Sequence, residues 1–256
     1  MTEKPTWYLK VKPSECAQHV ILVGDPARQS MFASQMQDVS EVASEREFRT
    51  LSGAYKGTPI SVISVGIGAP SAVLVLEELW ELGVKVVLRA GTGMSLGVPL
   101  GDFILAQAAT RNEGTSPSYL PMPFPAVPDG DLFLHFHAVL TQEKAPLSSG
   151  VILTSDGFYT HMFRHAVDGK KPERPETILI QEYDRYGIIS ADMETSALYI
   201  AGQYLGLKCL TLLVATVDGY EQRMLEAETR KAKEHELARL ALEGMHQYAL
   251  RSKEKE

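Results

Sequence analysis

The stretch HVILVGDPAR, residues 19–28, decides the fold class. His19–Val23 is a short apolar run, the pattern of a strand that ends in a turn. Gly24-Asp25-Pro26 then turns the chain. Pro26 stands where a helix starts, and Gln29–Met36 has the apolar spacing to continue it. The same grammar recurs twice. Pro59–Val65 runs into Gly66-Ile67-Gly68-Ala69-Pro70-Ser71 and a helix over Ala72–Leu82, with Val73, Leu76, Leu79 and Leu82 on one face. Val84–Leu88 runs into Arg89-Ala90-Gly91-Thr92-Gly93, which is expected to break that strand. Strand ends of α/β sheets are where ligands bind, and glycine lets backbone N–H groups approach an anion.

The rest of the chain extends this frame. Val39–Leu51 and Pro59–Val65 alternate around Gly53 and Gly57, which predicts antiparallel strands. Further strands are expected at Asp102–Ala109, Gly150–Ser155, Gly187–Met193 and Lys208–Val217. Gly114–Asp131 carries five prolines and reads as a long loop. Thr195–Leu205 is a predicted helix, and Glu221–Arg251 a closing one with Leu225, Leu237, Leu240, Met245 and Tyr248 toward the core and charges of alternating sign on a solvated face. With no internal repeat or linker, one α/β domain over residues 1–256 with a mixed sheet is the simplest account.

Composition narrows the function classes. The 256 residues are 45% hydrophobic and 22% charged, with 25 Lys+Arg against 32 Asp+Glu and a net charge of -7. A net acidic chain disfavours bulk binding to nucleic acid or anionic membrane, so an anionic ligand needs a local positive cluster. Glu221–Glu256 has eight basic and eight acidic residues and adds nothing to that balance. The polar start, Met1-Thr2-Glu3-Lys4-Pro5, lacks the apolar region of a signal peptide. The longest uncharged run, between Lys56 and Glu77, is interrupted by glycine, proline and serine, unlike a membrane helix. Cys16 and Cys209 have no motif partner. A cytoplasmic protein with reduced thiols is expected.

Several motifs are near misses. The turn at Gly66 resembles a dinucleotide fingerprint, but Ser71 replaces the third glycine and the next strand ends in Arg89 rather than an acid. There is no Walker motif, no GxSxG elbow and no HExxH, and His135, His137, His161 and His165 lack a metal spacing. Arg28 and Arg89 lie beside glycine turns at matching strand ends, with Thr92 nearby, and the guanidinium fork suits a pair of phosphate oxygens. Asp192-Met193-Glu194 reads either as a helix cap or as a carboxylate placed for two sugar hydroxyls. Asp218-Gly219 reads first as a turn.

Taken in order, Gly24-Asp25-Pro26-x-Arg28, Arg46-Glu47-Phe48, Gly66-Ile67-Gly68, Leu88-Arg89-x-Gly91-Thr92, Phe124-Pro125-Ala126-Val127, Ser155-Asp156 and Met193-Glu194 are distinctive. From about Val11 to the C-terminal helix the chain resembles the nucleoside phosphorylases of the purine nucleoside/uridine phosphorylase superfamily. The resemblance implies an α/β fold with a central mixed, partly barrel-like sheet flanked by helices. It implies reversible phosphorolysis of a nucleoside to free base and (deoxy)ribose 1-phosphate, with inorganic phosphate as co-substrate and no organic cofactor or catalytic metal. By position, Gly24, Arg28, Arg89 and Thr92 would bind phosphate, with Arg46 reaching in from a neighbouring subunit. Met193 and Glu194 would hold the ribose hydroxyls, and Phe158 and Tyr159 would line the base and sugar pocket. Members are commonly hexamers built from dimers. Glu47, Ile67 and Ser71 match positions that bind a monovalent cation in some uridine phosphorylases.

Two departures bear on the substrate. Uridine-type members carry a Gln-x-Arg pair where this chain has Met162-Phe163-Arg164, and methionine cannot make paired amide contacts to uracil. Val217-Asp218-Gly219 resembles the segment of uridine-phosphorylase-like purine enzymes in which the aspartate serves purine N7. The expectation is therefore a purine nucleoside such as inosine or guanosine, with Asp218 as general acid, and uridine as the alternative. Tyr8 stands where the family places a histidine near the ribose 5′-hydroxyl. Residues 165–186 are expected to form a flap over the base. A hydrolytic nucleosidase is disfavoured by the three retained arginines. A nucleoside- or phosphate-binding protein without turnover is the reading from another class, disfavoured by Glu194 and Arg28.

Overall fold

In the computed structural model, residues 3–162, 183 and 185–253 are described. The strand that decided the fold class, β1 (His19–Val23), lies between two parallel neighbours, β4 (Thr58–Ser64) and β5 (Val86–Ser95). Its side chains alternate between two cores, as a two-fold strand period requires. Val20 and Leu22 join the cluster under α2 (Ala69–Glu81) and α4 (Thr195–Leu205). Ile21 and Val23 join the cluster under α1 (Gln29–Ala33), α3 (Gly130–Gln142) and α5 (Ala227–Lys253). Burial on both faces is why this run is continuously apolar.

Among the described residues, ten strands form one sheet. Five of them close on themselves: β5, β9 (Lys208–Asp218), β6 (Phe103–Asn112), β7 (Leu147–Ser155) and β8 (Ser190–Asp192), with β8 returning to β5. Parallel and antiparallel pairs are mixed around this barrel. Outside it, β1, β4, β3 (Phe48–Tyr55) and β2 (Gln37–Glu45) extend from β5, and the short β10 (Arg223–Met224) hangs on β9. The sheet is thus barrel-like over five strands and open beyond them, as the resemblance implied.

Strand β5 differs from its sequence reading. Arg89-Ala90-Gly91-Thr92-Gly93 does not break it, and the strand runs on to Ser95. The glycines are there for close approach, not for turning. A Cβ on Gly91 would stand 1.8 Å from Nη1 of Arg89, and one on Gly93 2.7 Å from the Ser190 hydroxyl. Along one edge of β5, pairing with β1 ends at Arg89 and pairing with β8 starts at Met94. Residues 90–93 therefore face a gap with no ladder partner on that edge among the described residues.

Other departures have local causes. Val39–Leu51 is two strands, split at Arg46 and Glu47, because Arg46 adopts a positive φ of 56° that the sequence does not advertise with glycine or asparagine. Pro26–Arg28 is a 3-10 turn before a helix that stops at Ala33. The closing helix starts at Ala227, since Glu221–Met224 belongs to the turn and edge strand after β9. In the proline-rich loop, the Arg111 guanidinium donates to the carbonyls of Leu120, Pro121 and Phe124 at 2.7–2.9 Å, which orders a segment without regular structure. Helix α3 follows it, with Leu132, Phe136, Val139 and Leu140 buried at helical spacing.

Phe136 makes the fit between α3 and α5 specific. A Cβ on Gly244 would fall 2.3–2.8 Å from three atoms of this fully buried ring. Replacing a helix-interior glycine by alanine otherwise gains up to about 1 kcal/mol, whereas overpacking costs about 1–3 kcal/mol. Gly244→Ala is expected to lower the melting temperature by several degrees in a thermal scan. An unchanged or raised value would mean the ring yields freely.

Candidate active site

The gap in β5 gathers the charged residues. Arg89, on β5, is almost fully buried and ion-paired to Glu194, with Asp192 Oδ2 at 3.4 Å. Burial works against the charge, but the two carboxylates outweigh it and hold the Arg89 pKa above its ordinary value. Its Nη1 is buried and has no hydrogen-bond partner among the described residues. In a native interior such a group calls for a water, an ion or a ligand.

In the segment Asp192-Met193-Glu194 the two carboxylates point to different partners. Asp192 caps α4: its oxygens accept from the Thr195 N–H at 3.2 Å and the Thr195 hydroxyl at 2.5 Å, and from the Thr154 hydroxyl at 2.9 Å. Glu194 turns the other way. Besides Arg89, it accepts the Gly68 N–H at 2.8 Å and the Met193 N–H at 3.3 Å. Gly68 reaches it with φ of 100°, a conformation that favours glycine.

Arg28 comes to the same gap from the turn after β1, its Nη2 3.4 Å from the Thr92 hydroxyl. Gly24 lies alongside, its carbonyl accepting the Gly66 N–H at 3.0 Å, which joins the first two glycine turns. Two guanidiniums, a hydroxyl and an unused buried N–H in one crevice are suited to a tetrahedral oxyanion. Glu234, on α5, meets Arg28 Nε at 3.3 Å and Arg230 Nε at 3.0 Å. The sequence reading assigned this helix face only solvated charges, and nothing local in the sequence marks a pair 206 positions apart.

At the barrel mouth, Phe158 and Met193 border an apolar cluster with Met94, Leu153, Ala191 and Val217. Tyr159 is exposed and edge-on to Phe158, with ring centroids 5.1 Å apart. The Ser155 hydroxyl accepts from Asn112 at 3.1 Å and bonds His161 Nδ1 at 2.7 Å. Arg164 and most of the expected flap over 165–186 lie outside the described residues.

Other expected residues sit apart. Arg46 is exposed at its turn, its guanidinium 5.9 Å from the Tyr8 ring centroid. Glu78 on α2 holds that arm by accepting the N–H groups of Tyr8 at 2.6 Å and Leu9 at 2.8 Å. Glu47 and Ile67 are exposed, while the Ser71 hydroxyl is spent on the Val65 carbonyl at 2.5 Å. Asp218 is half-buried and Oδ1 accepts the N–H groups of Tyr220 and Glu221, both at 2.9 Å. That is the plain turn geometry. His135 serves packing, with Nε2 on the Gly244 carbonyl at 3.0 Å. Among the described residues no cluster of three or more His, Cys, Asp or Glu is arranged to hold a metal ion, and no helix is long and apolar enough to cross a membrane.

Comparison with known proteins agrees with this geometry. Residues 18–247 match the phosphorylase superfamily. A uridine phosphorylase of Thermococcus kodakarensis is 32% identical over 254 residues, covering 98% of this chain and 89% of its own. The crystal structure of a uridine phosphorylase from Vibrio fischeri superposes with a TM-score of 0.84 at 31% identity, covering 96% of this chain and 99% of its own. A Toxoplasma gondii purine nucleoside phosphorylase in complex with immucillin-H gives 0.82 at 26%, covering 96% of both chains. With its five-stranded barrel and these matches, the chain belongs to the phosphorylase superfamily, among the nucleoside phosphorylases.

Proposed function

We infer that the nucleoside is uridine. Hydrogen phosphate attacks C1′ of the ribose, the C1′–N1 bond breaks with its electron pair passing to the base, the base takes up the proton that the phosphate gives up, and uracil and ribose 1-phosphate leave. The unpartnered Nη1 of Arg89, buried in the β5 gap, is the observation that carries phosphorolysis over hydrolysis. Arg28, Arg89, Thr92 and Gly24 hold the phosphate behind C1′, where its charge also stabilises the cationic character that builds on the sugar. Glu194, fixed by Gly68, takes the ribose 2′ and 3′ hydroxyls with the Met193 backbone. The base lies against Phe158 and Tyr159.

The choice of uridine reverses the sequence preference for a purine. That preference leaned on Met162 and Asp218. Asp218 accepts from its own turn, so its carboxylate has a structural use that needs no purine N7. The uridine phosphorylases of Thermococcus kodakarensis and Vibrio fischeri, at 32% and 31% identity, support the pyrimidine reading. A purine nucleoside is the second reading, favoured by the Toxoplasma gondii likeness and by Val217-Asp218-Gly219.

The active form we infer is an oligomer built from dimers, a hexamer as the family resemblance implies, with Arg46 and Tyr8 completing the neighbour's site. Both lie at the surface beside a groove of about 450 Å³ lined by Trp7, Tyr8, Pro70, Leu74 and Tyr119. Trp7 is 78% exposed in the single chain. Burial pushes the Cys16 thiol up to about 11 and the Cys209 thiol to about 12, which suits stable free thiols in a reducing cytoplasm.

Uridine, inosine, guanosine, adenosine and methylthioadenosine assayed with and without phosphate should give phosphate-dependent release of uracil above all. Asp218→Asn keeps the turn acceptor and removes the acid. It should leave uridine turnover within a few-fold, whereas a purine mechanism using this acid would lose about two orders of magnitude. Inosine turning over faster than uridine would overturn the base assignment. Gly91→Ala puts a methyl where Arg89 Nη1 lies and should cut kcat/KM by about a hundredfold. Activity near wild type would mean that Nη1 does not serve the reaction. Light scattering should return a mass above that of one chain, and a fully active monomer would remove Arg46 from the site.

A further inference from the structure

The C-terminal helix reaches the site through one carboxylate. Glu234 and Arg28 are 206 positions apart, and their side chains are only 9% and 13% exposed. Glu234 Oε1 takes the Nε edge of Arg28 at 3.3 Å, while Nη2 of the same guanidinium lies 3.4 Å from the Thr92 hydroxyl. One edge of the planar fork is thus anchored, and the other is turned into the β5 gap.

We propose that Glu234 is a positioning residue for phosphate, acting through Arg28; the proposal rests on the reading of Arg28 as a phosphate ligand. Two physical arguments support it. Arg28 ends a 3-10 turn of three residues, followed by a helix of five. Segments this short have no stability of their own and take their orientation from what they pack against. Here that is α5, which also accepts Gln35 Nε2 at the His235 carbonyl, 3.3 Å away.

The second argument is electrostatic. Arg230 shares the same Glu234 oxygen, at 3.0 Å from Nε, and faces Arg28 across it. Burial works against the charge on Arg28, Glu234 works for it, and Arg230 and Arg89 work against it. Without the carboxylate, Arg28 would meet Arg230 with nothing between them and lose the anchor on its Nε edge. The guanidinium would then leave the orientation in which two of its N–H groups meet one phosphate. With Glu234 present, the trio carries one net positive charge, aimed at the anion.

The test is calorimetric titration of the full-length protein with inorganic phosphate, which requires no nucleoside, together with steady-state kinetics on uridine. Glu234→Ala should weaken phosphate binding by at least about tenfold, the order seen when a ligand group loses its supporting partner. The KM for uridine should stay within about twofold. Glu234→Gln keeps an oxygen for Arg28 Nε without the charge and should recover part of the loss. It also stands in for the alanine variant if that one does not fold. Phosphate affinity within twofold of wild type in both variants would overturn the proposal. So would an equal loss of phosphate and uridine affinity, which would mark general damage. Arg28→Ala separates the two levels. If it weakens phosphate binding while the Glu234 variants do not, only the positioning role fails; if it leaves phosphate binding unchanged, the phosphate site itself is misassigned.

Discussion

The ion pair between Arg89 and Glu194 is the contact on which the site depends. A guanidinium this deep is tolerated only when carboxylates face it, and removing one partner of such a pair costs about 3–5 kcal/mol. Each partner is delivered by a different part of the barrel. Arg89 comes from β5, and Glu194 from the junction of β8 and α4, held by Gly68 from the turn after β4. Three chain segments far apart in sequence must be in register before the pair exists. Assembly of the barrel and assembly of the site are therefore one event.

The glycines belong to the same constraint. Gly91 leaves room for the guanidinium of Arg89, two positions earlier on the same strand, and Gly93 for the Ser190 hydroxyl on β8. Their absence of side chain is spent inside a strand, where glycine otherwise weakens pairing. The fold accepts that weakness in β5 where the Arg89 guanidinium and the Ser190 hydroxyl must come close to the strand. A polar crevice at the point where an edge changes partner is the usual ligand position in open α/β sheets, and here it survives closure of five strands into a barrel.

The net charge of -7 first suggested that any anion would need a local positive cluster. Arg28 and Arg89 form that cluster, and both are flanked by carboxylates: Glu194 and Asp192 on one, Glu234 on the other. The pocket is not a patch of bare positive charge. Both arginines are flanked by carboxylates, the condition under which a buried guanidinium is tolerated.

Much of this was legible in the chain. The strand His19–Val23, the helix Thr195–Leu205, and the positions of Gly24, Arg28, Arg89, Thr92 and Glu194 follow from local signals: a short apolar run, glycine after a strand, an acid opening a helix. Local signals also misled where their physical cause was distant. Gly91 and Gly93 read as a turn because the atoms that require them, on Arg89 and Ser190, meet them only in the folded sheet. Arg46 hid a turn behind a residue that rarely adopts positive φ. Asp218 read first as a turn, and its Oδ1 does accept two backbone N–H groups of that turn. The C-terminal helix read as solvated charge because Glu234 finds Arg28 only across 206 residues. The sequence by itself determined which residue types stand at the strand ends, since propensity and periodicity act over a few residues. Only the tertiary structure decided which of their charges are spent on one another and which N–H group is left for a ligand, because pairing and desolvation are set by neighbours the chain brings together last.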